Sequence, residues 1–182
     1  PLSIPNIISM ARLLAVPIVV YLILKSAYDW AFWLFVIAGF SDALDGFIAK
    51  NMNQATVLGS YLDPLADKAL LVGVYVTLGH QALIDDLIVV MVVFRDVMII
   101  GGAFLLVVFR QQNGIRPALV SKLNTAAQIL LVTLVLAEAG LHFAGGWVSL
   151  YVSYFVIATT LASGGWYMIA WGRQMANVEG TK

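Results

Sequence analysis

The chain has 182 residues, 62% of them hydrophobic and 11% charged, with a mean hydropathy of +0.93; soluble domains carry about a quarter charged residues, so an integral membrane protein is expected. Its ten basic and ten acidic side chains cancel, which leaves no electrostatic footprint for a nucleic-acid partner. It has no cysteine, which excludes disulfides, thiolate metal ligands and thiol nucleophiles.

A hydrocarbon core of about 30 Å takes roughly 20 apolar residues per helix. Six runs qualify, at about 5–24, 30–50, 57–80, 84–110, 121–140 and 147–171, and they predict one all-α, membrane-embedded domain over 1–182. The first run is too long for a secretory signal and lacks a small-residue cleavage site. Polar breaks separate the runs: "KSAYDW", "NMNQAT", "GHQALIDD", "RQQNGIRPALVS" and "AGLHFAGGW". Trp30, Trp147 and Trp171 fall at run ends, where interfacial aromatics belong. Lys50, Arg110, Arg116, Lys122, Arg173 and Lys182 collect on one side, against Lys25 with Asp29, Asp85, Asp86 and His142 on the other. The positive-inside rule then puts both termini and the 51–56 and 111–120 connectors in the cytoplasm.

The second and third runs hold the chemistry. Between Ser41 and Lys68 lie four acids, Asp42, Asp45, Asp63 and Asp67. Counted at 1.5 Å per residue from the cytoplasmic ends, Asp45 and Asp42 lie about 7.5 and 12 Å deep, and Asp63 and Asp67 about 9 and 15 Å deep. A short connector should make the two helices neighbours. Asp42, Asp45 and Ala49 share one helix face, and Gly59, Asp63 and Asp67 share another. Gly46 and Gly59 leave room beside those faces for backbone or ligand. Ionised acids at that depth are each disfavoured by roughly 2–3 kcal/mol, and hard divalent cations would neutralise them. Mg²⁺ or Mn²⁺, as two ions, would clamp a diphosphate between the helices. The same acids are also compatible with a structural charge network with Lys68, Arg12, Arg95 or Lys50, and with a cation-transport pathway.

Written out, the stretch is D-x2-D-G-x2-A-K-x8-G-x3-D-x3-D. It resembles the signature of the CDP-alcohol phosphotransferase family, D-x2-D-G-x2-A-R-x8-G-x3-D-x3-D, at seven of eight fixed positions with identical spacing. Lys50 is the departure: it keeps the family arginine's charge but not its bidentate fork. The six-helix plan and the opening "IPNIISMAR" are also similar to the family's membrane domain. The resemblance implies transfer of a substituted phosphate from a CDP-linked donor to an alcohol, with release of CMP, commonly by a homodimer. It implies that Asp42, Asp45, Asp63 and Asp67 bind metal and that Asp67 is also the general base. Gly46, Ala49, Lys50 and Gly59 would then sit against the CDP group. Asn6, the expected cap of the first helix, and Arg12, at about the depth of the acids, would touch donor phosphate or balance the carboxylates.

The second half bears on the acceptor. "FRDVMII" places Arg95 and Asp96 mid-way along the fourth run, and Arg110, Arg116, Lys122 and Asn124 gather near the cytoplasmic mouth. Cations there suit an anionic acceptor, and they equally suit anionic headgroups. "RDVMII" followed by "SKLNTAAQ" resembles the branch of the family that joins CDP-diacylglycerol to phosphatidylglycerol. The branch that uses glycerol 3-phosphate more typically has Arg-Glu and G-K-x-K-T at these positions.

Overall fold

The computed structural model describes residues 4–52, 57–108, 119–142 and 144–179, with side chains over 8–41, 66–102, 119–142 and 144–173. The described residues form six α-helices and no strand: α1 Ile4–Leu24, α2 Tyr28–Met52, α3 Val57–His80, α4 Asp86–Val108, α5 Leu119–Leu141 and α6 Gly146–Glu179. Apolar runs set the helices, and polar chemistry sets their ends. α1 and α3 close with the same device. Ser26 and Ala82 take left-handed φ values of 57° and 56°. The amides one residue further on, Ala27 and Leu83, reach back to the Leu22 and Leu78 carbonyls, and the Ser26 and Ala82 amides bond the Ile23 and Gly79 carbonyls. This is a Schellman closure built without glycine. α4 begins two residues later than hydropathy predicts, because Asp85 accepts the Leu87 amide at 2.8 Å and caps it. α6 runs to Glu179, eight residues past the end of its apolar run at Trp171. Arg, Gln, Met and Ala are good helix formers, so the helix outlasts the hydropathy.

Packing follows helical periodicity. On α1, Ala15, Val19 and Ile23 form one buried stripe; on α3, Ala66, Leu70, Val74 and Leu78 form another, with Leu71 and Tyr75 beside it. All but Ala15 and Ala66 join Ala31, Phe35 and Ala38 of α2, Ile88 and Val92 of α4, Leu131, Val132, Val135 and Leu136 of α5, and Val156 of α6 in one core. Across the bundle, α1 packs on α2 and α3, α5 on α2, α3 and α6, and α4 on α3 and α6. α1 and α5 each pack on both α2 and α3; the ends of α2 and α3 nearest their connector, where the two are expected to be neighbours, carry side chains outside the described residues. The close approach of α4 and α6 depends on Gly102, where an added Cβ would lie 1.6 Å from the Trp171 ring.

The outer surface is apolar: Leu14, Phe40, Phe94, Val97, Leu161 and Met168 are all exposed. Among the described residues, α5 and the Gly146–Arg173 part of α6 are each long and apolar enough to cross a membrane, and Ile8–Leu24 is a shorter apolar stretch.

Candidate functional site

The acid-bearing stretch falls where its spacing predicts. Asp42 and Asp45 lie on α2, and Asp63 and Asp67 on α3. The side chains of Asp42, Asp45 and Asp63 lie outside the described residues, as do those of Asn6, Ala49 and Lys50; Gly46 and Gly59 are placed only as backbone of α2 and α3. Arg110 and Arg116 lie outside the described residues altogether. Among the described residues no three His, Asp or Glu side chains converge as a metal cluster.

Asp67 is described, and its surroundings are specific. One carboxylate oxygen is paired with the Arg12 guanidinium of α1. The two partners are unequal: the Arg12 side chain is 2% exposed and that of Asp67 is 42% exposed. The arginine is therefore a fixed counter-charge beneath a reachable carboxylate. Both border a cavity of about 130 Å³, whose other walls are Phe35 and Gly39 of α2, Lys68, Leu70 and Leu71 of α3, and Thr125 and Ile129 of α5. The cavity is thus lined by α1, α2, α3 and α5. It has room for several waters.

A second polar assembly adjoins it. Lys68 Nζ donates to Asp96 Oδ2 at 2.8 Å, and Arg95 Nη1 donates to Asp96 Oδ1 at 2.6 Å. The rest of the Arg95 guanidinium is held by hydroxyls: Nε and Nη2 donate to Ser163 Oγ at 3.2 and 2.7 Å, and Nη2 also donates to Ser121 Oγ. One arginine thus ties α4 to α5 and α6, and Asp96 ties α4 to α3 at the residue after Asp67. Arg95 is 3% exposed and Asp96 1%.

The residues expected at the acceptor mouth separate. Lys122 is exposed on α5. Asn124 is 0% exposed, and its Oδ1 accepts from the Thr159 and Thr160 hydroxyls at 2.8 and 2.9 Å. Asn124 and Arg95 therefore point into the protein. Sequence reading overlooked Ser163, Thr159 and Thr160. The i, i+4 spacing of Thr159 and Ser163 in "ATTLASGG" was the available signal, but the Thr159 hydroxyl, with one proton to give, also has Phe155 O of its own helix within reach at 2.8 Å, which is how hydroxyls pass unnoticed in apolar helices.

The sequence pattern of CDP-alcohol phosphatidyltransferases matches residues 2–166. A rat protein named cardiolipin synthase (CMP-forming) is 35% identical over 98% of this chain and 64% of its own length. A Streptomyces coelicolor protein of the same name is 32% identical over 94% of this chain and 76% of its own length. A chloroplastic rice protein named CDP-diacylglycerol–glycerol-3-phosphate 3-phosphatidyltransferase 1 is 33% identical over 89% of this chain and 55% of its own length. The chain thus spans less than two thirds of the rat and rice relatives.

Proposed function

Because the chain belongs to the CDP-alcohol phosphatidyltransferase family, we propose that it is an integral membrane enzyme that moves a phosphatidyl group from CDP-diacylglycerol to phosphatidylglycerol, giving cardiolipin and CMP. The observation that carries the reading is the family's four-aspartate spacing lying on α2 and α3, with Asp67 opening onto the cavity between them. The apolar exterior and the two apolar helices support embedding in lipid, and six spans with the 51–56 and 111–120 connectors in the cytoplasm complete the topology. A homodimer is its proposed working form.

In this reading Asp67 takes the proton of the acceptor hydroxyl. The hydroxyl oxygen bonds to the phosphorus that bears diacylglycerol, and the bond from that phosphorus to the CMP oxygen breaks, so CMP leaves with the electron pair. Arg12 holds the Asp67 carboxylate in place from below. Asn6, Gly46, Ala49, Lys50 and Gly59 form the donor side. Arg110, Arg116 and Lys122 form a basic approach for an anionic acceptor, with Arg95 and Asn124 behind it. The family generally depends on a divalent metal, and the residues fit one: four carboxylates are the hard oxygen donors such ions take, and pairing with Arg12 does not exhaust a carboxylate with about four lone-pair sites. Asp42, Asp45, Asp63 and Asp67 would hold Mg²⁺ or Mn²⁺, as two ions, whose charge would offset that developing on the departing phosphate.

The rice relative's name supports glycerol 3-phosphate as a second acceptor reading. The purified protein, given CDP-diacylglycerol, Mg²⁺ or Mn²⁺ and either acceptor, decides between them by mass spectrometry of the lipid product. The absence of CMP release with both acceptors would reject the proposal.

A further inference from the structure

The Lys68–Asp96–Arg95 assembly contains two cations and one anion. Asp96 is shared by both, and the remaining Arg95 nitrogens meet only the neutral hydroxyls of Ser121 and Ser163. Counted over these three side chains and their partners among the described residues, the assembly carries one net positive charge inside the bundle, where a charge is poorly screened and favours an anion beside it. Arg95 is poorly placed for the contact, since four of its five donors are engaged and it is 3% exposed. Lys68 can supply it. Its ammonium has three donors, Asp96 takes one, and its side chain is 23% exposed on the wall of the cavity that Asp67 borders.

We propose that Lys68 binds the phosphate of the acceptor, and that Asp96 and Arg95 are positioning residues that aim it at the cavity beside Asp67. The ligand class is a glycerol bearing a phosphate, whether that phosphate is free or belongs to a lipid headgroup. Asp67 and Lys68 line the same cavity: the hydroxyl end goes to Asp67 and the phosphate end to Lys68. Thr125 lies on the same cavity, and its hydroxyl oxygen can accept from the glycerol while its proton goes to the Ser121 carbonyl at 3.2 Å. The inference rests on the proposed reaction for its substrate class and on the charge count for its residue.

The test compares the wild-type chain with Lys68→Met and Lys68→Arg, measuring KM for each acceptor and, separately, for CDP-diacylglycerol. Loss of one charge-assisted hydrogen bond should raise the acceptor KM of Lys68→Met roughly ten- to a hundred-fold. The donor KM should stay within about twofold, and Lys68→Arg should recover much of the loss, since it keeps the charge. An unchanged acceptor KM, or an equal rise in both KM values, overturns the inference. Binding without turnover is read from the unfolding temperature with added glycerol 3-phosphate or glycerophosphoglycerol. The ligand that stabilises the wild type but not Lys68→Met also identifies the source of the phosphate. If neither ligand stabilises the wild type, the inference fails whatever the turnover; if one does while no CMP is released, only the proposed reaction fails. Should Lys68→Met not fold, Lys68→Gln, which can still donate to Asp96, takes its place.

Discussion

Removing the Asp96 carboxylate tests the charge network most directly. Asp96 is 1% exposed and accepts from Lys68 at 2.8 Å and Arg95 at 2.6 Å. Asp96→Ala leaves both cations without their anion, and losing one partner of a buried pair destabilises by about 3–5 kcal/mol. The two cations do not share that cost equally. Lys68 is 23% exposed and can turn toward the cavity, whereas Arg95 is 3% exposed and keeps only hydroxyl partners. The expected loss is therefore at the lower end, about 3 kcal/mol. Lys68→Met, which leaves Asp96 paired with Arg95, should lose less, about 1–2 kcal/mol. The two changes share a partner, so the double variant should fall short of their sum by roughly 0.5–3 kcal/mol. Denaturant unfolding of detergent-solubilised protein, followed by tryptophan fluorescence, measures all three. A loss of less than about 1 kcal/mol in Asp96→Ala, or strict additivity in the double variant, would refute the reasoning.

Three further outcomes are expected. Asp67→Asn should reduce CMP release at least a hundredfold, as loss of a general base does, while CDP-diacylglycerol still protects the protein against thermal unfolding; retained turnover would remove Asp67 from the role of base. Gly102→Ala should destabilise by about 1–3 kcal/mol through overpacking against Trp171, and Trp171→Ala in the same chain should relieve most of that loss in the same unfolding assay. Ala82→Gly should raise stability by about 1 kcal/mol, because Ala82 holds a left-handed φ of 56° at the α3 terminus that glycine adopts without the Cβ clash; a lower unfolding temperature would contradict this.

Hydropathy located the helices well because each apolar run is long and ends in polar residues or in interfacial tryptophan. Its errors share one cause, since it registers solvation and not backbone hydrogen bonding. It ended α6 at Trp171, where the apolar run stops, although helix-forming residues carry the helix to Glu179. It began α4 at 84, where the apolar run starts, although the Asp85 cap sets the first turn. Spacing told which residues share a face, but not which helix that face meets. Asn124 was grouped with the cytoplasmic mouth, yet its side chain turns into α6 and meets Thr159 and Thr160. Arg95 and Asp96 looked like a self-contained pair because they are adjacent in sequence. Their partners Lys68, Ser121 and Ser163 come from three other helices, and no local pattern encodes that.

The charge network and the catalytic reading of the acids were alternatives in the sequence, and in the fold they adjoin. Asp67 and Lys68 are consecutive on α3, so their side chains diverge by about a hundred degrees around the helix axis. One reaches Arg12 on α1 and the other Asp96 on α4, yet both border the same cavity. A site that must bind an anionic acceptor and deprotonate it needs a cation and a base close together without neutralising each other. Each side chain here meets an opposite charge on a different helix, Asp67 at Arg12 and Lys68 at the Asp96 it shares with Arg95. The buried arginines are then understandable in an apolar bundle: Arg12 pairs directly with the Asp67 carboxylate, and Arg95 is joined to Lys68 through Asp96.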